Sequence, residues 1–141
     1  MTKQKLFLIC IFLSLTANVF SQIKYACFEN DKNKNLKISV SFNKDNRAQY
    51  VKYGGQKDSI RIFYSKTVKY KNDGIPAYYW AKTYLEKNKG KVTGEYTFTN
   101  AGTYQLDVIY LRKRDNKEFY FSIIEATEGS DDQPFQFKSC F

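Results

Sequence analysis

Apolar and polar residues alternate along most of this chain with a period of two. Leu36, Ile38, Val40 and Phe42 are apolar, and Lys37, Ser39 and Ser41 between them are polar, which is the signature of a strand with one buried face. Val92, Gly94, Tyr96 and Phe98 alternate in the same way with Thr93, Glu95, Thr97 and Thr99. Tyr104, Leu106, Val108 and Tyr110 form another such set. Phe119, Phe121 and Ile123 make the next, and Ile60, Ile62 and Tyr64 a further one. No segment keeps helical spacing over helical length. Aromatics at 18 % of the chain add to the strand bias, because large flat or branched side chains suit a pleated surface.

Turn-forming residues separate these runs: Asp31–Asn35, Asn43–Asn46, Gly54-Gly55, Asn72–Gly74, Asn88–Gly90, Asn100–Gly102 and Arg114–Asn116. Each supplies residues that accept positive φ or cap a local turn with a side chain. Their spacing predicts seven to nine strands joined by hairpins, an all-β fold built as a small antiparallel barrel or sandwich. An acidic loop at Glu128–Pro134 precedes a last strand expected at Phe135–Phe141. Residues 77–87, following Pro76, admit two readings. Tyr78-Tyr79-Trp80 favours a strand, whereas the alanines and the Leu85-Glu86-Lys87 end favour a helix; the aromatics tip the assignment to strand. Residues 22–141 show no repeat and no linker, and are read as a single β domain.

The first 21 residues follow other rules. Lys3 and Lys5 precede an apolar run from Leu6 to Leu15, and a more polar stretch leads to Val19 and Ser21. That order is the layout of a secretory signal peptide. The run is shorter than the ~20 residues a membrane-spanning helix needs. Cleavage is expected between Ser21 and Gln22, giving a secreted or periplasmic product. It removes Cys10 and leaves Cys27 and Cys140, which in an exported protein are expected to form a disulfide. Closing so long a loop stabilises by about 4–5 kcal/mol on the chain-entropy account, and it requires the two ends of the domain to be neighbours.

Composition narrows the chemistry. The chain has no histidine, which removes Ser–His–Asp and Cys–His catalysis and every histidine-containing metal site. No glycine-rich phosphate loop occurs, so no cofactor, metal or catalytic residue is assigned. Glu95 and Asp107 flank a predicted hairpin and form a candidate carboxyl pair, which Glu118 or Glu125 could join. They alternate with the apolar positions and so belong to a solvated face.

Charge is uneven. The net charge of +9 falls to +7 after cleavage, and residues 31–91 hold fifteen Lys or Arg against five acids. Lysines and tyrosines interleave at Tyr50-Val51-Lys52-Tyr53 and from Tyr64 to Lys71. Such a surface suits a polyanion, although lysines on edge strands also block sheet-to-sheet pairing. Tyr78-Tyr79-Trp80 holds the sole tryptophan, a ring that serves either a core or a binding face. The candidate ligand-binding residues are therefore Lys52, Tyr53, Lys66, Lys69, Lys71, Tyr78 and Trp80.

Tyr25-Ala26-Cys27, a Leu36–Phe42 strand and a Cys140 at the extreme C-terminus resemble the exported C-type lysozyme inhibitors. The resemblance implies a small antiparallel barrel, and inhibition of a hydrolase such as lysozyme. In that family a Ser-Gly-x-x-Tyr motif enters the lysozyme cleft. Thr93-Gly94-Glu95-Tyr96 comes nearest here, without the serine and with a shorter spacing, so no residue role carries over. A partner as basic as this chain would also be repelled at long range. The expectation is thus an exported, monomeric, non-enzymatic binding module for an anionic envelope or extracellular ligand. The partners considered are an anionic glycan, a lipid headgroup or an extracellular protein, and export argues against nucleic acid. The alternative is a hydrolase inhibitor.

Overall fold

The computed structural model describes residues 24–71, 78–101, 104–124 and 140–141. The signal-peptide expectation, the turn at 72–74, the acidic loop and most of the strand expected at 135–141 lie outside the described residues. Among the described residues eight strands run in order: β1 (Lys24–Asn30), β2 (Lys37–Phe42), β3 (Ala48–Tyr53), β4 (Ile60–Lys71), β5 (Tyr78–Asn88), β6 (Lys91–Ala101), β7 (Tyr104–Arg112) and β8 (Lys117–Ile123). Each pairs antiparallel with the next, and β1 pairs with β8 to close a barrel. Between the sandwich and the barrel, the barrel is what forms. Residues 78–88 are a strand, as the aromatics indicated.

Alternation places the apolar set inside. Phe28, Ile38, Val40, Val51, Tyr96, Phe98, Val108 and Phe121 are at most 1 % exposed, while Lys37, Ser39 and Ser41 face out. This is the reverse of a lipid-facing barrel, whose apolar band points outward. Phe98 sits at the centre, with Phe28, Phe42 and Tyr84 meeting it edge-on at ring-centroid distances of 6.4, 6.0 and 5.4 Å. Edge-to-face contacts of this kind are preferred by ring quadrupoles. Eight strands enclose just enough space for side chains to fill.

The ring has two narrow seams. β1 and β8 share three register pairs, Phe28–Ile123, Glu29–Ser122 and Asn30–Phe121. Asn30 clamps this seam: its Nδ2 donates to the Tyr120 carbonyl at 2.9 Å, and its Oδ1 accepts from the Lys32 and Asn33 amides. The second seam joins β3 to β4 through Tyr50–Arg61 and Val51–Ile60 alone. Here the Tyr84 hydroxyl accepts the Ala48 amide at 3.2 Å, and the Arg47 guanidinium lies 5.2 Å from the Tyr64 ring centroid.

Cys27 and Cys140 form the expected disulfide, with Cα atoms 5.6 Å apart. Closure itself is made by β8, whereas the disulfide fastens the chain's last residues outside β1. Cys27 alternates with inward Ala26 and Phe28, and it is nevertheless 4 % exposed. Phe141 reaches Gly54 at the end of β3, where a Cβ would stand 3.4 Å from the ring.

Gly94 has a packing reason to lack a side chain. A Cβ there would lie 2.3 Å from a Tyr110 ring carbon, and the Tyr110 ring stacks on Tyr96 at 4.5 Å. Gly94→Ala therefore displaces Tyr110, and denaturant unfolding is expected to show a loss of about 1–3 kcal/mol, the usual cost of overpacking.

Candidate functional site

Unequal strand lengths create the surface of interest. β2 and β3 have six residues each, and β4, β5 and β6 have eleven or twelve. β3 begins at Ala48, so β4 continues past it with β5 as its register partner. Every residue from Phe63 to Lys71 is exposed. The β4–β5 ribbon thus extends past β3, with β6 paired along the other edge of β5, and it has two distinct faces.

A bulge between Tyr64 and Lys66 sets which side chains share a face. Beyond it Thr67 pairs with Lys82, Lys69 with Trp80 and Lys71 with Tyr78. Trp80 and Lys82 alternate in step with buried Tyr84, so this face continues the barrel interior. The Lys69 ammonium lies 4.9 Å from the Trp80 ring centroid, within cation–π range. On the next strand Asn100 pairs with Trp80, and Phe98 with Lys82. The opposite face carries Lys66, Val68 and Tyr70, with Tyr70 stacked on Tyr79 at 6.1 Å.

Four of the seven residues picked from sequence, Lys69, Lys71, Tyr78 and Trp80, therefore occupy register positions on one face. Lys66 is on the other side of the same ribbon, because the bulge inverts its parity. Lys52 stands on the outer side of β3 opposite Ser39. Tyr53 points into the barrel, pairs with Ile38 and binds the Tyr96 hydroxyl at 3.0 Å. It is part of the interior and not of the ribbon face.

Two residues of this face escaped the sequence reading. Lys82 was hidden in a segment whose strand or helix character was open. Asn100 looked like a turn residue, yet β6 runs through it to Ala101 and the residue is 5 % exposed. Its Oδ1 has no hydrogen-bond partner among the described residues. Leaving a buried acceptor so costs about 1–3 kcal/mol.

The other mouth of the barrel holds a polar network. Glu86 on β5 accepts from Thr93 Oγ1 at 2.8 Å, from the Tyr96 hydroxyl at 3.1 Å and from the Tyr110 hydroxyl at 3.4 Å. Since the Tyr96 proton goes to Glu86, the Tyr53 hydroxyl is the donor to Tyr96. Arg112 at this rim binds Asp115 through two nitrogens at 3.0 and 2.7 Å, and its guanidinium covers the Phe119 ring. Burial pushes the Tyr53 phenol up to about 12, aided by the nearby Glu86 charge. Burial also raises Tyr96 and Tyr110, and the Glu86 charge adds to both shifts. All three phenols are held neutral, Tyr96 and Tyr110 as donors to the glutamate and Tyr53 as donor to Tyr96.

The carboxyl pair raised from sequence does not assemble. Glu95 is opposite Leu111 and ion-pairs with Lys113 at 2.8 Å, whereas Asp107 is opposite Thr99. Four strand positions separate them along the sheet, about 13 Å at strand rise. Thr93-Gly94-Glu95-Tyr96 runs along β6 with Tyr96 fully buried, so that tyrosine is not displayed at a surface. Among the described residues no group of three or more His, Cys, Asp or Glu is placed to hold a metal ion. Comparison with protein-family models, curated proteins and solved structures found no match to this chain.

The raised phenols have a measurable consequence. A group whose folded pKa exceeds its unfolded value of ~10 stabilises fully below that pH and loses its contribution as pH rises toward the folded value. Through Tyr53, stability is expected to fall from pH 10 toward 12, by up to about 1.4 kcal/mol per pH unit. Urea unfolding at pH 9, 10 and 11 checks this, with Tyr53→Phe showing a shallower fall than wild type.

Proposed function

We propose that this chain is an exported, non-enzymatic binding module that takes an anionic ligand on the inward face of the β4–β5 ribbon. The observation that supports this is the register of that ribbon, which aligns Lys69, Lys71 and Lys82 with Trp80 on one side. β4 contains Arg61, Lys66, Lys69 and Lys71 and no acidic residue. The strand therefore carries a net positive charge, and an exposed strand of this sign draws polyanions from solution. Ammonium groups supply the attraction, and the indole gives a flat apolar surface against which a ligand can rest.

The export reading draws support from the Cys27–Cys140 disulfide, since such bonds persist in oxidising compartments. The non-enzymatic reading draws support from the separation of Glu95 and Asp107 and from the absence of histidine.

Two measurements test the proposal. Binding to an anionic polysaccharide such as heparin is expected to weaken steeply with added salt, because exposed charges are screened within about 8 Å at physiological ionic strength. The Lys69→Ala/Lys71→Ala double variant is expected to lose about ten-fold in affinity, roughly 1.4 kcal/mol. Lys66→Ala, on the opposite face, is expected to keep wild-type affinity in the same titration. Salt-independent binding, or equal losses from both faces, contradicts the assignment. Separately, mass spectrometry of the protein recovered from the oxidising side of the membrane is expected to show a chain starting at Gln22 and lacking two thiol hydrogens.

A further inference from the structure

We infer that the ligand of this face is an acidic saccharide, with a sugar ring against Trp80, a carboxylate on Lys69, Lys71 or Lys82, and a hydroxyl donated to Asn100 Oδ1. The inference rests on the polyanion reading above and narrows it to one chemical class.

Asn100 carries the argument. It stands on the inward face of β6, paired with Trp80 across the strand. The residue is 5 % exposed and its Oδ1 is buried with no partner among the described residues. An amide oxygen accepts hydrogen bonds and cannot donate them. A fully ionised phosphate or sulfate chain brings acceptors alone, so it can meet the lysines but leaves Oδ1 as it is. A sugar brings hydroxyl donors. Of the polyanions the ribbon can attract, a carboxylated sugar polymer answers both the ammonium groups and the orphaned acceptor.

Trp80 fits the same ligand. It is half-buried, with the Lys69 ammonium 4.9 Å from its ring centroid. Cation and platform therefore form one unit, and a carboxylate drawn to Lys69 brings its own ring beside the indole. Lys82 lies between Trp80 and Tyr84 on the same face, at the register position of Phe98. Oδ1 has no solvent contact in this fold, so a hydroxyl reaches it when a neighbouring side chain shifts. Trp80 is the cross-strand neighbour and the sole tryptophan of the chain, which makes its emission a direct reporter of that shift.

The arrangement also sets stability against binding. An unpartnered buried acceptor destabilises the fold, and an apolar side chain of similar size removes that burden. Asn100→Leu is therefore expected to raise the melting temperature while weakening saccharide binding. A residue present for structure alone would not move the two in opposite directions.

The test uses the secreted chain and three probes of matched length: a galacturonate oligomer, inorganic polyphosphate and a neutral dextran oligomer. Trp80 emission and calorimetry follow each titration. The galacturonate oligomer is expected to shift the emission and to bind about ten-fold more tightly than polyphosphate, a difference of roughly 1.4 kcal/mol, with no binding of dextran. Asn100→Leu is expected to abolish that preference and leave polyphosphate affinity unchanged. Should Asn100→Leu fail to fold, Trp80→Ala followed by calorimetry must lose the preference instead. Equal affinity for galacturonate and polyphosphate overturns the saccharide assignment and leaves the polyanion reading standing. So does wild-type preference in both variants, or equal binding of phosphatidylglycerol vesicles. Failure of all the anions to bind removes both.

Discussion

A sheet escapes the hazard of free edges when its first strand hydrogen-bonds its last, and in this protein that closure rests on a short seam. Three register pairs join β1 to β8. Asn30 satisfies its own side chain there, by donating across the seam to Tyr120 and by accepting the amides that turn the chain after β1. Ile124 adds a backbone bond to Cys27, the same residue that the disulfide ties to the chain's end. If the seam opened, Phe28, Phe98 and Phe121 would lose their enclosure together, because each is buried by strands on both sides of it. The disulfide acts next to this weak point. It restrains β1 in the unfolded ensemble by closing a loop over 113 positions of sequence.

The second seam decides the shape of the surface. β3 and β4 share two register pairs, after which β3 ends at the turn formed by Asn43 to Arg47 and β4 goes on. The short strands β1–β3 and the long strands β4–β6 therefore enclose a core at one level and leave a ribbon projecting at another. Along that ribbon the bulge at Tyr64–Lys66 reassigns parity. It sends Lys66 outward and brings Lys69 and Lys71 onto the face that continues the interior. One inserted residue thus sorts the lysines into two sides.

The two ends of the barrel handle polar groups in opposite ways. At the Glu86 mouth each hydroxyl and carboxylate oxygen of the network has a hydrogen-bond partner, and the phenols are kept protonated by burial. A satisfied network of this kind specifies one arrangement of the end strands. At the ribbon mouth the Asn100 acceptor is unmet among the described residues. The two mouths of one barrel thus differ in how fully their buried polar groups are met.

The period-two pattern by itself determined that the chain is all-β, because residues 38, 40 and 42 or 94, 96 and 98 can share a buried side in a strand and not in a helix. Cys27 and Cys140, near the two ends of the domain, indicated that those ends meet. Sequence alone did not decide barrel over sandwich, since both bury the same alternating positions and differ in whether β1 finds β8. It did not separate Tyr53 from Lys52 either: adjacent strand residues point to opposite sides, and which side is the interior depends on register. Lys82 and Asn100 became visible through the register of β5 with β4 and β6, and Lys66 left the group through a bulge that no composition signal marks. Side-chain chemistry is written locally, but a face is made by hydrogen-bond partners up to tens of residues away in sequence, and these are chosen by the closed fold as a whole.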